Sequence, residues 1–303
     1  MKTQKNKNYL ISDLWNTSLI VEREDTKKRD FINASDLGSP FIDRFYKMKG
    51  IQPSNPYDER VLRVFAAGNE FHHLVYKVFE KIGVLQESEF YCEIPATDEI
   101  LKVVGYGDAI IGGLSNWDEA RERVKNYGFS EAIERISYKI IDRLEKDYSN
   151  GLDTTLIDVK SVNSNAFWNK KGYIGDGYRH HKLQIYTYIK ALNLPKGILI
   201  YISKDDLTIE ECPVLYPDES LEKEWLEDVK QMSYFYKNDI TPPKEDDVIF
   251  DERKKKFEIN WRVARSPYLT LITGLSKGDW EKQAKELLKI KNQELKLSKE
   301  LNN

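Results

Sequence analysis

Cysteine is scarce in this sequence. Its 303 residues hold two, Cys92 and Cys212, too few and too far apart for a disulfide framework or a cysteine metal cluster. Long apolar runs are missing as well, with nothing near the roughly 18 residues of a membrane span, so no membrane partner is expected. The basic opening "MKTQKNKNYLISD" lacks a signal peptide's apolar stretch. A reducing cytoplasm is therefore the expected location. There is no G-x-x-x-x-G-K-[ST] phosphate loop, so coupling to ATP would have to come from a helicase or recombination partner, which the sequence does not reveal. A large excess of one charge is also absent: the net charge is -3, with 32% charged residues. That excludes a bulk polycation but leaves a local basic groove open.

What is present is an alternation of helix and strand patterns. "INASDLGSPFIDRFYKMKG" (32–50) reads as a helix entered at Ser35 and closed by Gly50. "RVLRVFAAGNEFHHLVYKVFEKIG" (60–83) carries apolar residues at helical spacing. Strands are expected at "SEFYCEIP" (88–95), "ILKVVGYGDAIIGG" (100–113) and "TTLIDVKS" (154–161), with a charged helical insertion over about 116–148 between the last two. The helix "YRHHKLQIYTYIKALNL" and the strand pair "KGILIYIS" (196–203) and "LTIEECPVLY" (207–216) follow. Beyond them come the helix 218–239, an irregular 247–274 and a Lys/Glu-rich helix over 277–301. The pattern predicts an α/β class with one domain over 1–303: a core at about 32–216 and a helical extension at about 217–303.

Chemistry concentrates where charge interrupts apolar strands. In "TTLIDVKSVNS" Asp158 and Lys160 are two apart, so a strand presents both on one face. Burying them needs close pairing or a further ion. A triplet of this kind also occurs on the polar segment "DERKK", so it gains meaning only from its apolar strand and from partners. Alone, a partly buried ion pair accounts for it. Asp108 in "VVGYGDAII" is a second lone acid in an apolar strand, after a Gly107 expected to permit close backbone approach. Two such carboxylates on neighbouring strands would make an oxygen site for Mg²⁺ or Mn²⁺, and Lys160 beside them could activate water. His72 on the preceding helix, and Gln184 and Tyr188 one turn apart on the later one, are further candidates. Each also has an ordinary packing explanation.

Taken in order, "GNEFH" (68–72), "GD" (107–108), "DVK" (158–160) and "QIYTY" (184–188) resemble the motifs of the PD-(D/E)XK nuclease superfamily, specifically its RecB-type exonuclease branch. The likeness covers roughly residues 32–216. It implies a restriction-endonuclease-like core in αβββαβ order, with a mixed central sheet flanked by helices. It further implies metal-dependent hydrolysis of phosphodiester bonds, as a DNA exonuclease acting on single strands or free ends, with replication, repair, recombination and defence against phage or mobile elements all open as its pathway. By family role His72, Asp108, Asp158 and the Val159 carbonyl would hold Mg²⁺ or Mn²⁺, and Asp108, Asp158 and Lys160 would be catalytic. Gln184 and Tyr188 would brace the site and approach a backbone phosphate. Glu93 is a weaker candidate for a supporting acid, with an exposed strand residue as its alternative. Many relatives bind an iron–sulfur cluster with one upstream and three downstream cysteines. Those cysteines are missing here, so no cluster is expected, and Phe41, Phe45, Trp261 and Tyr268 are expected to pack in its place. The loop with Trp168, Lys170, Lys171 and Tyr173 combines rings and cations suited to single-stranded nucleic acid, or simply caps the core with Phe167 and Trp168 buried. Lys-rich 253–256 is either a phosphate contact or a solvated run. A structure-specific or restriction-like endonuclease, a non-catalytic binding module on the same fold, and RNA in place of DNA all stay open.

Overall fold

A six-stranded mixed sheet organises the part of the chain that carries the motifs. In this computed structural model, residues 10–21, 27–169, 176–252 and 254–301 are described. The strands are β1 (Ile32–Asn33), β2 (Leu85–Ile94), β3 (Val103–Ile111), β4 (Thr155–Val162), β5 (Lys196–Ser203) and β6 (Ile209–Leu215). They run in the order β1-β3-β4-β5-β6, with β2 also paired to β3. β1/β3 and β4/β5 are parallel, and β2/β3, β3/β4 and β5/β6 antiparallel.

Because β2 lines one edge of β3 along its length, β1 and β4 must share the other edge. β1 takes Val103 and Val104, and β4 takes Ala109 to Ile111. Residues 105–108 lie between these two pairings, and this gap is where the site forms.

Both faces of the sheet are covered, which explains why β4 reads as a nearly continuous apolar run. On one face Val75 and Tyr76 of the helix Glu59–Lys81 pack with Leu85, Ala109, Ile157, Val159, Ile200 and Ile202. On the other lies the helix Arg179–Ala191, whose Leu183, Ile185, Tyr186, Tyr188 and Ile189 are buried. Asn193 follows that helix in the left-handed region at φ 52, and Leu194 N–H returns to the Ile189 carbonyl, so the turn stops the helix. Trp225 Nε1 of the helix Glu219–Lys237 donates to Thr187 Oγ1 at 2.9 Å, fixing one helix on the other.

The expected insertion is two helices, Trp117–Asn126 and Glu131–Asp147. They share a small core of Trp117, Ala120, Val124 and Ile141, and a Leu114–Leu152 bridge closes the base. Where the sequence context of Gly107 predicts close backbone approach, the structure places a side chain instead. A Cβ there would stand 2.0 Å from the Phe90 ring, and one at Gly105 would stand 2.3 Å from the Tyr188 ring. Both glycines let an aromatic ring approach β3 closely.

These elements belong to one compact unit (Phe31–Gly38, Arg63–Gln231). A second is formed by the described residues of 1–30, 39–62 and 232–303. Two local expectations change there. The helix of 32–50 is only Phe41–Met48 and starts after Pro40, because Ile32–Asn33 is drawn into the sheet and Gly38 turns the chain at φ 72. The irregular 247–274 contains a hairpin, β7 (Val248–Asp251) with β8 (Lys256–Ile259), and two short helices, Trp261–Ala264 and Leu269–Thr273.

Phe45 and Tyr268 are buried here as expected, but Trp261 is 57% exposed, lying against Arg265 rather than in the core. Trp280 takes the buried place, its indole N–H on Asp247 at 2.7 Å. Lys254, Lys255 and Lys256 pair with Asp251, Glu252 and Glu258, the solvated alternative for that run. Among the described residues, no helix is long and apolar enough to cross a membrane.

Gly105→Ala is expected to destabilise the protein by roughly 1–3 kcal/mol, since the buried Tyr188 ring has nowhere to retreat. Urea unfolding measures this, and an unchanged midpoint would mean that the ring yields.

Candidate functional site

The ladder between β3 and β4 ends at Ala109–Ile157. Continued by one row, it would set Asp108 directly against Asp158, and like charges in that position repel. The strands part there, and side chains take over from backbone. Asp108 Oδ2 accepts the Val159 N–H at 2.6 Å, standing in for a strand carbonyl. Its Oδ1 lies 3.3 Å from Nδ1 of His72, on the helix Glu59–Lys81.

Asp158 is wholly buried. Lys160 Nζ sits 2.8 Å from its Oδ2, yet off hydrogen-bond geometry. Neither Asp158 oxygen has a hydrogen-bond partner among the described residues. Lys160 also donates to Gln184 Oε1 at 3.1 Å, and Gln184 Nε2 donates to the Tyr188 hydroxyl at 2.8 Å. His72, Asp108, Asp158, Val159, Lys160, Gln184 and Tyr188 thus lie in one connected group.

Burial sets the electrostatics. It pushes the Asp158 carboxyl up to about 6, against the opposing pull of Lys160. Burial alone would lower His72, but the Asp108 hydrogen bond and charge outweigh it and raise the imidazole above its ordinary value.

Some expected members fall elsewhere. Tyr188 is 1% exposed, so it cannot reach a phosphate. It is a brace under Gln184, and this corrects its assignment as a nucleic-acid contact. Glu93 pairs in register with Val104, far along β2 from the Asp108 row, and is engaged by Tyr91 and Lys102. It is the exposed strand residue of the two alternatives. Trp168 is exposed while Phe167 is buried. Lys170, Lys171 and Tyr173 lie outside the described residues.

Several neighbours escaped the sequence reading. Glu89, at φ 53, lies between the pairs Ser88–Ala109 and Phe90–Gly107, which sets it level with Asp108. Tyr76 is one helical turn from His72, and its buried hydroxyl has no hydrogen-bond partner among the described residues. Only the four-residue spacing could have suggested Tyr76. His181 Nδ1 lies 3.0 Å from the hydroxyl of Tyr201, which is in register with Lys160. That hydroxyl also accepts the Tyr178 N–H at 2.9 Å. Burial, then the charge of Lys160, holds His181 well below its ordinary value.

The two carboxylates are oxygen donors of the kind a hard divalent cation takes. Asp158 Oδ1 is buried with no hydrogen-bond partner among the described residues, and the charges of Asp108 and His72 act on the same carboxyl. Among the described residues no three His, Cys, Asp or Glu side chains are drawn together as a ready cage. Lys160 and His72 meet the carboxylates' charge instead, so a cation would compete with both for the same oxygens.

No family model and no curated protein matches the chain. Among solved structures, the crystal structure of SSO0001 has a TM-score of 0.44 at 18% identity, covering 73% of this chain and 85% of that one. An alkaline exonuclease, LHK-Exo from Laribacter hongkongensis, has a TM-score of 0.43 at 11% identity, covering 75% and 94%. Its complex with dAMP gives the same values. Likenesses this distant assign neither family nor activity.

Asp158 binds its proton more tightly folded than unfolded. Its ionisation therefore costs stability, and the cost sets in as pH rises from about 4 through about 6. In EDTA, Asp158→Asn should melt at a higher temperature than the wild type at pH 8, with the difference closing toward pH 4. A lower melting temperature at pH 8 would show that the Lys160 pair outweighs burial.

Proposed function

We propose that this chain is a metal-dependent nuclease of the PD-(D/E)XK type that hydrolyses phosphodiester bonds in DNA from a free end. One observation carries the reading. Two carboxylates meet where a ladder opens, one of them buried without a hydrogen bond, and a lysine is held beside it by an amide. A packed core has no use for such a group. A site that gathers charge around a phosphate needs all of it.

A divalent cation, held by Asp108, Asp158, His72 and the Val159 carbonyl, would supply Lewis-acid charge against a phosphate oxygen and acidify water. The chain's own residues do the positioning. His72 and the Val159 N–H fix the two Asp108 oxygens in orientation. Gln184, locked by Tyr188, holds the Lys160 ammonium at the site. From there Lys160 orients the attacking water and donates to the negative charge that develops on the phosphate as the P–O bond breaks. No covalent enzyme intermediate is needed. The end-directed reading is supported by the four motifs in their order, and the exposed Trp168 ring is available to an unpaired base.

End-labelled single- and double-stranded DNA and closed circles, each with Mg²⁺, Mn²⁺ or EDTA, test this. A cation-dependent ladder from one end is expected, falling roughly 10²–10⁴-fold in Lys160→Ala. Cutting of closed circles would replace the exonuclease by an endonuclease. Inert protein that still binds DNA would replace both by a binding module.

A further inference from the structure

Two residues before Asp108 on β3, Tyr106 stands 68% exposed, and its cross-strand partner on β2, Tyr91, is 48% exposed. Large aromatic rings are usually buried, because each removes a large apolar area from water. This pair has been forced outward. On either side of Tyr106, Gly105 and Gly107 are overlain by the rings of Tyr188 and Phe90. Those rings lie on the face of β3 toward the Arg179–Ala191 helix, so Tyr106, between the two glycines, points to the other face, where His72 of the Glu59–Lys81 helix meets Asp108.

The pair is also held in shape. The rings meet edge to face, 5.4 Å between centroids at 61°. The Tyr91 hydroxyl donates to Glu93 Oε2 at 2.5 Å, and Lys102 stands 3.7 Å from the same oxygen. A ring fixed before its ligand arrives loses little entropy on binding. Strand rise places the Tyr106 and Asp108 positions about 6.8 Å apart on one face, close enough for one nucleotide to span both.

We propose that Tyr91 and Tyr106 form a stacking platform for an unpaired nucleobase of the strand whose phosphate lies at Asp108 and Asp158. The platform rests on the nuclease reading above and names its substrate: single-stranded DNA, or a frayed end. The occupant follows from continuity with Asp108, two residues along the same strand. It follows also from chemistry, since a base presents an uncharged face that neighbouring carboxylates do not repel. In a duplex those faces are already stacked, and the platform has nothing to receive. Stacking tolerates any base, so the site would select strand state and not sequence.

The experiment measures binding of labelled oligo(dT), of an abasic strand of equal length and of a duplex, by fluorescence anisotropy in EDTA. It compares wild type with Tyr106→Ala, Tyr91→Ala and Tyr106→Phe. Tyr106→Ala is expected to weaken oligo(dT) binding about 5- to 100-fold. Binding of the abasic strand and the duplex should stay within about twofold of wild type, and Tyr106→Phe should bind oligo(dT) like the wild type. Equal oligo(dT) affinity in wild type and Tyr106→Ala overturns the platform. So does an equal loss on the abasic strand, which would mark a structural effect. A wild-type dimer by light scattering that Tyr106→Ala makes monomeric also overturns it, since a second copy would then cover the pair. Wild type that neither binds nor cuts DNA defeats the nuclease reading itself, whereas cutting that persists beside silent tyrosine variants defeats only the platform.

Discussion

Asp158 carries a charge into a place where charge is expensive. It is the fourth of the eight residues of β4, in a sheet covered by a helix on each face, and its oxygens find one ammonium and no hydrogen bond. The surroundings can be understood as responses to that burial. Lys160 is drawn in to offset it, and Gln184 and Tyr188 hold Lys160 so that its stem is not free to swing into solvent. The opposing Asp108 cannot share the row, so the strands separate, and its carboxylate closes the backbone opening by taking the Val159 N–H.

The split in the sheet depends on β3 serving two partners along one edge. β1 and β4 each take a few residues of it, and the stretch between them is freed from the ladder. Glycine makes that stretch thin. With no side chains at 105 and 107, the Tyr188 and Phe90 rings press against the strand from one side, leaving the alternate positions, Tyr106 and Asp108, for the other. The same two glycines therefore support the brace beneath the site and the orientation of the residues that line it.

Much of this was legible from local pattern. Apart from the short helix Ser164–Asn169, which the sequence reads as loop, the strands and helices of 59–237 stand within a few residues of where apolar period and turn residues put them, because each buries a face whose period is written in the chain. Asp108, Asp158 and Lys160 stood out for the same reason: charge inside an apolar strand contradicts its surroundings. Less legible was the segment 32–50, where a cap-like Ser35 suggested a helix that parallel pairing to Val103–Val104 overrode. The hairpin of 248–259 was hidden too, since its strands have four residues each and too little alternation to register.

Sequence alone determined the kinds of groups available and their spacing within each element. Period two put Asp158 and Lys160 on one face, and period 3.6 put Gln184 beside Tyr188. Only the tertiary structure decided which rows align between strands. Register depends on packing between segments dozens of residues apart, and no local pattern encodes it. That is why Glu89 came level with Asp108 unannounced, why Glu93 fell out of reach, and why Tyr91 met Tyr106 on an open face.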